Sequence, residues 1–218
     1  MWPRRVIPSV IPMTAITMRA TPVRLRTLGL ITVVAGLIGA ACAVIIIAWP
    51  PQVGDDRYSY PFDATGYTVA QSFFAVHHLG VLAGLLGLAR LAWPRAGRVT
   101  RAGLILAAVG MVALTACELF AITAATAQVG TPTADAVNNS YGVPMMVIGL
   151  GLVLAGAGLA RRPVLPGRAR WVTLALGIYV FVPMFPAVFG PMVVGRIAIG
   201  VWFLMFAALG AALIRADR

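Results

Sequence analysis

Residues 28–49 read LGLITVVAGLIGAACAVIIIAW, a run of 22 residues without a charge and with one hydroxyl. Crossing about 30 Å of hydrocarbon takes about 20 helical residues, so this run is long enough to span a membrane. Five similar runs follow, at residues 68–92, 102–127, 143–160, 171–189 and 192–214. A lipid-facing backbone must satisfy its own hydrogen bonds, and the runs are continuous instead of alternating in hydropathy, so helices are predicted.

The remainder of the chain has the same apolar character. Of the 218 residues, 61% are hydrophobic and 11% are charged, and the mean hydropathy is +0.93. Water-soluble domains are about half apolar and about a quarter charged, and disordered chains are less hydrophobic, so both classes are excluded. We therefore predict an all-α polytopic membrane protein, with residues 28–214 forming one bundle of six transmembrane helices.

The two ends of the chain are predicted to lie outside the membrane. Residues 1–27 are basic, contain prolines and lack an apolar run, which favours a flexible cytoplasmic tail, and residues 215–218 form a short C-terminal end. A cleaved signal peptide is not expected, because the first apolar run exceeds the usual length of about 7–15 residues. Met18 begins a second, short arginine-rich lead into that run, so a start at Met1 or at Met18 is left open.

Arginines account for all 17 basic residues, and their placement predicts the orientation. If the chain crosses the membrane six times, fifteen of them lie on one side of it, in four clusters. These clusters are Arg4, Arg5, Arg19, Arg24 and Arg26; Arg90, Arg95, Arg98 and Arg101; Arg161, Arg162, Arg168 and Arg170; Arg215 and Arg218. The opposite side receives one arginine and four aspartates: Arg57, Asp55, Asp56, Asp63 and Asp135. The positive-inside rule then predicts a cell-membrane protein with both termini in the cytoplasm.

The same clusters predict the partners. Arginines that flank apolar runs attract the anionic headgroups of the lipid bilayer. A nucleic-acid partner is not expected, because that would require a basic face on a soluble surface.

Glu118, His77 and His78 lie deep within the runs, where burial of a charge in lipid is costly and charges usually face the protein interior. Glu118 lies nine residues before Ala127, or about 13 Å below the outer end at about 1.5 Å per residue. His77 and His78 lie nine and ten residues after the start of the second run, at nearly the same depth. Because a short loop joins the second and third runs, we expect a contact between a histidine and Glu118.

Further polar residues extend this candidate site. Arg196 lies four residues inside the sixth run, and we expect its side chain to extend outward to water instead of down to Glu118. Gln71 shares a helix face with His78, and Thr115 lies one turn from Glu118. Successive residues point about 100° apart on a helix, so one histidine joins the site, and we favour His78. The predicted intramembrane polar site is Glu118, His78, His77, Gln71, Arg196 and Thr115.

The last two runs contain residues that break helices. Gly190 and Pro191 separate these runs and predict a tight hairpin. Pro183 and Pro186 each remove one backbone hydrogen bond from the fifth run and predict a kink. We interpret these prolines as ordinary features of a membrane helix, with a hinge as the alternative.

Three classes of function fit the polar site. The first is a transporter-like or channel-like protein, whose outward-facing cavity handles a proton, a cation or a small solute. The second is a non-catalytic accessory or structural subunit, in which a buried pair of Glu118 with a histidine or with Arg196 only fixes helix packing. The third is a membrane-embedded enzyme that uses Glu118 and a histidine in acid–base chemistry. We predict no enzyme, since GxxxxGK[ST], GxSxG and HExxH motifs do not occur.

No cofactor or metal site is predicted. The two histidines are adjacent, so a haem held by two histidines from facing helices is not expected, and a His–Met pair is left as the open alternative. The aspartates of residues 50–63 lack the regular spacing of a cation loop. Small residues in the fourth run suit close helix packing, and a homo- or hetero-oligomer held through such faces is an open alternative. These residues are Gly149, Gly151, Ala155, Gly156 and Gly158.

Overall fold

The computed structural model describes residues 24–217. Six of the described helices are long and apolar enough to cross a membrane, which confirms the predicted all-α six-helix bundle. They are α1 (Leu25–Ala48), α2 (Ala64–Ala92), α3 (Arg98–Ala121, continued by the 3₁₀ turn Ile122–Ala124), α4 (Pro132–Arg161), α5 (Gly167–Val188) and α6 (Met192–Ala216). Most of the predicted N-terminal tail, residues 1–23, lies outside the described residues, as does residue 218.

Five of the six helices begin before the predicted apolar runs, including the third, at Arg98 instead of residue 102, and the fifth, at Gly167 instead of residue 171. The first helix starts at Leu25 instead of residue 28. The second starts at Ala64 instead of residue 68, because the Asp63 side chain accepts a hydrogen bond from Gly66 N–H at 2.7 Å and caps the helix. The fourth starts at Pro132 instead of residue 143, since proline suits the first position of a helix. Hydropathy marks where a helix meets lipid, and these helices continue into polar sequence.

The helices form a closed ring in chain order, with α6 packed against α1. The closure is tight: a Cβ added to Gly210 would lie 2.6 Å from the carbonyl oxygen of Gly29, so only glycine permits this approach. Arg26 N–H donates to Asp217 Oδ2 at 3.2 Å. The start of α1 and the end of α6 therefore lie at the same end of the bundle.

The predicted small-residue face of α4 packs within the chain. A Cβ on Gly151 would lie 2.5 Å from the backbone nitrogen of Ala107 in α3. One on Gly156 would overlap the backbone of Leu174 in α5. These two glycines therefore set the close spacing of α3, α4 and α5.

A π-helical turn at Val180–Met184 interrupts α5. The N–H of Phe185 donates to the oxygen of Val180, five residues back, and Pro183 lies inside the turn. The helix thus accommodates a proline, which cannot donate to the ladder, by widening one turn. After α5 ends at Val188, a short turn leads to the start of α6 at Met192, which is the geometry of the predicted hairpin.

Two loops cover one end of the bundle, which we call the outer end after the predicted orientation. The loops are residues 49–63 and 125–131, and together we call them the outer cap. Two backbone hydrogen bonds join them as an antiparallel bridge: Tyr58 N–H to Ala127 O at 3.0 Å, and Val129 N–H to Asp56 O at 2.8 Å. The Arg57 guanidinium adds a third bond between the loops, to Thr126 O at 3.1 Å. The outer cap is therefore a bonded layer.

Candidate functional site

A cavity of about 560 Å³ lies in the outer half of the bundle, beneath the outer cap. All six helices line it, together with cap residues. Its volume falls within the roughly 300–1,000 Å³ typical of small-molecule pockets. Apolar and aromatic side chains form much of the wall, and polar ones interrupt it: Gln71, His78, Glu118, Asn138, Tyr141 and Arg196.

Glu118 is the centre of a hydrogen-bond network that joins three helices. The hydroxyl of Tyr141 in α4 donates to Glu118 Oε2 at 2.9 Å. The amide of Gln71 in α2 donates to the same hydroxyl at 3.0 Å. Glu118 and Gln71 are each only 8% exposed, so these bonds replace water that the cavity wall excludes. The network holds one carboxylate oxygen in a fixed position.

His78 lies beside the other carboxylate oxygen. Its Nδ1 is 3.7 Å from Glu118 Oε1, which is the contact expected between the second and third spans. The distance allows an electrostatic interaction but is too long for a hydrogen bond. Nδ1 is buried and has no hydrogen-bond partner among the described residues. Since His78 also lines the cavity, its imidazole lies at the site beside Glu118.

His77 is placed differently and does not line the cavity. Its Nε2 lies 2.8 Å from the carbonyl oxygen of Ala35 in α1, so that nitrogen donates. The imidazole also packs edge-on against Phe203 of α6, with ring centroids 4.8 Å apart. His77 therefore connects three helices behind the site, and His78 is the histidine that faces the cavity.

Arg196 lines the cavity from α6 and is half-buried. Its side chain therefore borders the cavity, and the expected extension outward to water stays a prediction. The position lies on the inner face of α6, next to the buried Gly195, and so points away from lipid. Within residues 24–217, no carboxylate oxygen lies within 4.0 Å of its guanidinium. The cavity thus contains a cationic group that no direct ion pair neutralises.

Thr115 is not brought into the site, although it lies one turn from Glu118. Its hydroxyl donates to the oxygen of Met111 at 3.0 Å, inside its own helix. The buried face of α3 runs through Met111, Leu114 and Glu118. A threonine three residues before Glu118 lies off this face and is occupied by its own backbone.

Two further cavity residues were absent from the predicted site. Tyr141 lies just before the fourth predicted apolar run, but α4 begins at Pro132 and so places it well inside the helix. Trp202 is 3% exposed, lines the cavity, and has an Nε1 with no hydrogen-bond partner in the described chain. An indole N–H only donates, so this buried group lacks the acceptor that it requires.

The outer cap contributes phenol groups above the network. Tyr58 packs against Tyr67 of α2 at a ring-centroid distance of 6.2 Å and an interplanar angle of 75°. Burial raises the pKa of the Tyr58 phenol above its ordinary value; the charge of Glu118 raises it further, and Arg196 acts in the opposite direction. The phenol therefore stays neutral at physiological pH and keeps its proton to donate.

Comparison of the chain with protein-family models, curated proteins and solved structures finds no match. Across residues 24–217, no group of three or more His, Cys, Asp or Glu side chains converges in a way that could hold a metal ion. The chemistry of the cavity comes from its own lining: one carboxylate, one guanidinium, one imidazole, one indole and four phenols. Groups of these kinds are able to interact with a ligand through charge, hydrogen bonds and aromatic faces.

Proposed function

We propose that the protein is transporter-like and that its outer cavity binds a small solute or a cation, with a proton as a coupled ion. The observation that carries this proposal is the cavity of about 560 Å³ that all six helices line. Ionisable side chains at membrane depth are costly and commonly mark solute or ion pathways. A site lined by every helix also allows movement of one part of the bundle against another to change access.

Three groups have distinct roles in this proposal. Glu118 binds the cationic group or the proton, and Tyr141 and Gln71 fix the orientation of its carboxylate. His78, 3.7 Å away, is the second group able to accept a proton. The π-helical turn of α5 borders the same cavity through Val180 and Met184. Such turns are frequent at functional sites, which supports a rearrangement of this wall.

We propose a cell-membrane location with both termini in the cytoplasm, on the basis of the arginine clusters. At the predicted inner end, the Arg101 guanidinium lies 5.2 Å from the centre of the Trp93 ring, and that of Arg170 lies 5.1 Å from Trp171. Pairs of arginine and tryptophan suit the headgroup region, where we propose contact with anionic lipids. A reporter enzyme fused after Arg162 should be active only in the cytoplasm, and activity only outside the cell would overturn this orientation.

The test of transport uses purified protein in liposomes that contain a trapped pH-sensitive dye. Amino acids, amines and carboxylates are added outside, and solute uptake and proton entry are recorded. We expect Glu118→Gln to lower the rate about tenfold or more, because a charge-assisted interaction with the solute is lost. Asp135→Asn, an exposed acid in the first turn of α4, is the matched control and should leave the rate unchanged.

A second candidate is an accessory subunit, and one observation favours it. The network of Gln71, Tyr141 and Glu118 joins α2, α3 and α4, and such bonds also serve helix association alone. If the wild type transports none of the added solutes, or if Glu118→Gln keeps the full rate while losing stability, the network serves architecture. A lower rate at unchanged stability supports transport.

A further inference from the structure

We propose that the ligand of the cavity is a small zwitterion with an apolar body, its cationic end at Glu118 and its anionic end at Arg196. This inference rests on the proposed function in one respect only, that the cavity binds a solute. It goes further by naming the chemical class of that solute.

The two charges line one cavity from opposite sides. In the closed ring of six helices, α3 and α6 stand three positions apart, with α1 and α2 on one side and α4 and α5 on the other. Glu118 lies six residues before Ala124 and Arg196 four residues after Met192, about 9 Å and about 6 Å below the outer helix ends. The charges therefore sit at similar depth without forming an ion pair.

The charges of Glu118 and Arg196 together favour one class of ligand among cations, anions and dipolar ions. A simple cation would be attracted by Glu118 and repelled by Arg196, and a simple anion would experience the reverse. Away from bulk water both terms are strong, so they largely cancel for an ion of a single charge. A ligand that carries both charges, aligned between the two side chains, is stabilised at each end. The cavity therefore favours a dipolar ion over either single ion.

A hydrogen-bond donor without a partner lies on the same helix as Arg196. Trp202 belongs to α6, as Arg196 does, and its buried Nε1–H has no partner among residues 24–217. An indole N–H requires an acceptor, and a carboxylate oxygen is a strong one. Together, Arg196 and Trp202 provide a guanidinium and an indole donor for the anionic end.

The rest of the lining suits the cationic end and the body of the ligand. Tyr67, Phe74 and Tyr141 line the cavity near Glu118, and aromatic faces attract an ammonium group. Met184, Phe185 and Ile199 complete an apolar wall on α5 and α6, which suits a hydrocarbon body.

The closing experiment is titration calorimetry of the detergent-purified wild type with three zwitterions: phenylalanine, leucine and γ-aminobutyrate. Each is compared with its amine and its acid: phenethylamine and hydrocinnamate, isoamylamine and isocaproate, and butylamine and butyrate. We expect at least one zwitterion to bind, and loss of either charge to weaken its binding about tenfold or more. Absence of binding by all three zwitterions, or equal binding of an amine or an acid, would overturn the inference.

Charge-removing variants test which side chain binds which end. Glu118→Gln should shift the preference toward the acid, and Arg196→Gln toward the amine. Arg215→Gln removes an exposed arginine at the other end of α6 and should leave the preference unchanged. Unchanged preferences in both cavity variants contradict the assignment, and the wild-type titration stands without them if either variant fails to fold.

Binding and uptake separate this inference from the proposed function. A zwitterion that binds but does not enter liposomes would support the ligand class and contradict transport. Uptake of an amine alone, unaffected by Arg196→Gln, would support transport and contradict the ligand class.

Discussion

Tyr141 Oη donates a hydrogen bond of 2.9 Å to Glu118 Oε2 and so links α4 to α3 within the cavity wall. The same hydroxyl accepts a bond from Gln71 Nε2 at 3.0 Å. Both its donor and one of its acceptor positions are therefore used. This one hydroxyl orients the carboxylate and joins three helices, so its removal should affect both the packing of these helices and the proposed binding site.

Tyr141→Phe should lower the free energy of unfolding by about 1 kcal/mol, since both bonds of the hydroxyl are lost in a membrane-embedded site. The measurement is chemical unfolding in detergent micelles. Tyr60→Phe is the control, because Tyr60 also lines the cavity but its hydroxyl makes no bond to a described residue. Equal losses in the two variants would contradict the role of the network.

The two histidines should respond differently to replacement by phenylalanine. His77→Phe keeps an aromatic ring against Phe203 but removes the bond to Ala35, so we expect a loss of about 1 kcal/mol of unfolding free energy. His78→Phe should change solute binding more than stability, because its Nδ1 has no partner to lose. Unfolding and calorimetric titration of both variants provide the comparison, and the reverse pattern would contradict the site.

Close packing of α3 and α4 gives a third prediction. A Cβ on Gly151 would meet the Ala107 nitrogen at 2.5 Å and the Gly103 oxygen at 2.7 Å, so Gly151→Ala should destabilise the protein by about 1–3 kcal/mol. Gly142, on the same helix, has no atom within 4 Å of such a Cβ. Gly142→Ala should therefore be neutral or stabilising by up to about 1 kcal/mol. Equal destabilisation of the two variants in chemical unfolding would show that the helices are not this close.

The outer cap gives a fourth prediction. Val129→Pro removes the N–H that bonds to Asp56 O at 2.8 Å, because proline has no amide hydrogen. We expect hydrogen–deuterium exchange at the neighbouring Tyr58 amide to rise about fivefold, the equivalent of one lost hydrogen bond. Val129→Ala keeps the N–H and serves as the control. Unchanged exchange in the proline variant would mean that the bridge does not hold the loops together.

Much of the fold follows from hydropathy, because lipid permits few alternatives to a helix of about 20 residues. The ends of the helices do not follow as easily. Residues 132–142 contain Asp135 and Asn138, so they do not look like a membrane span, yet they form the first turns of α4. The buried Ala134 and Val137 stabilise this extension, and burial by tertiary contact cannot be read from a hydropathy window.

The candidate site, like the ends of the helices, was only partly predictable from the sequence. The high cost of burying polar side chains in lipid predicted Glu118, His78 and Gln71 as site residues, and the structure places all three at the cavity. Which direction a side chain takes depends on helix rotation, which the sequence constrains only weakly here because the helices are apolar on every face. Thr115 therefore lies off the buried face of α3 and outside the site. Trp202 carries no charge, so the cost of burying a charged side chain in lipid does not mark it as a site residue.

The hydrogen bonds at the rim of the cavity differ between the outer cap and the hairpin that joins α5 to α6. Along the outer cap, separating the loops breaks two backbone hydrogen bonds, each worth about 1 kcal/mol. At the hairpin between α5 and α6, Gly190 N–H donates to Ala187 O and Pro191 O accepts from Val194 N–H, and within residues 24–217 no backbone hydrogen bond joins this hairpin to the outer cap. For the proposed function, we expect the cavity to open beside this hairpin, where α5 can bend without breaking a hydrogen bond to the outer cap.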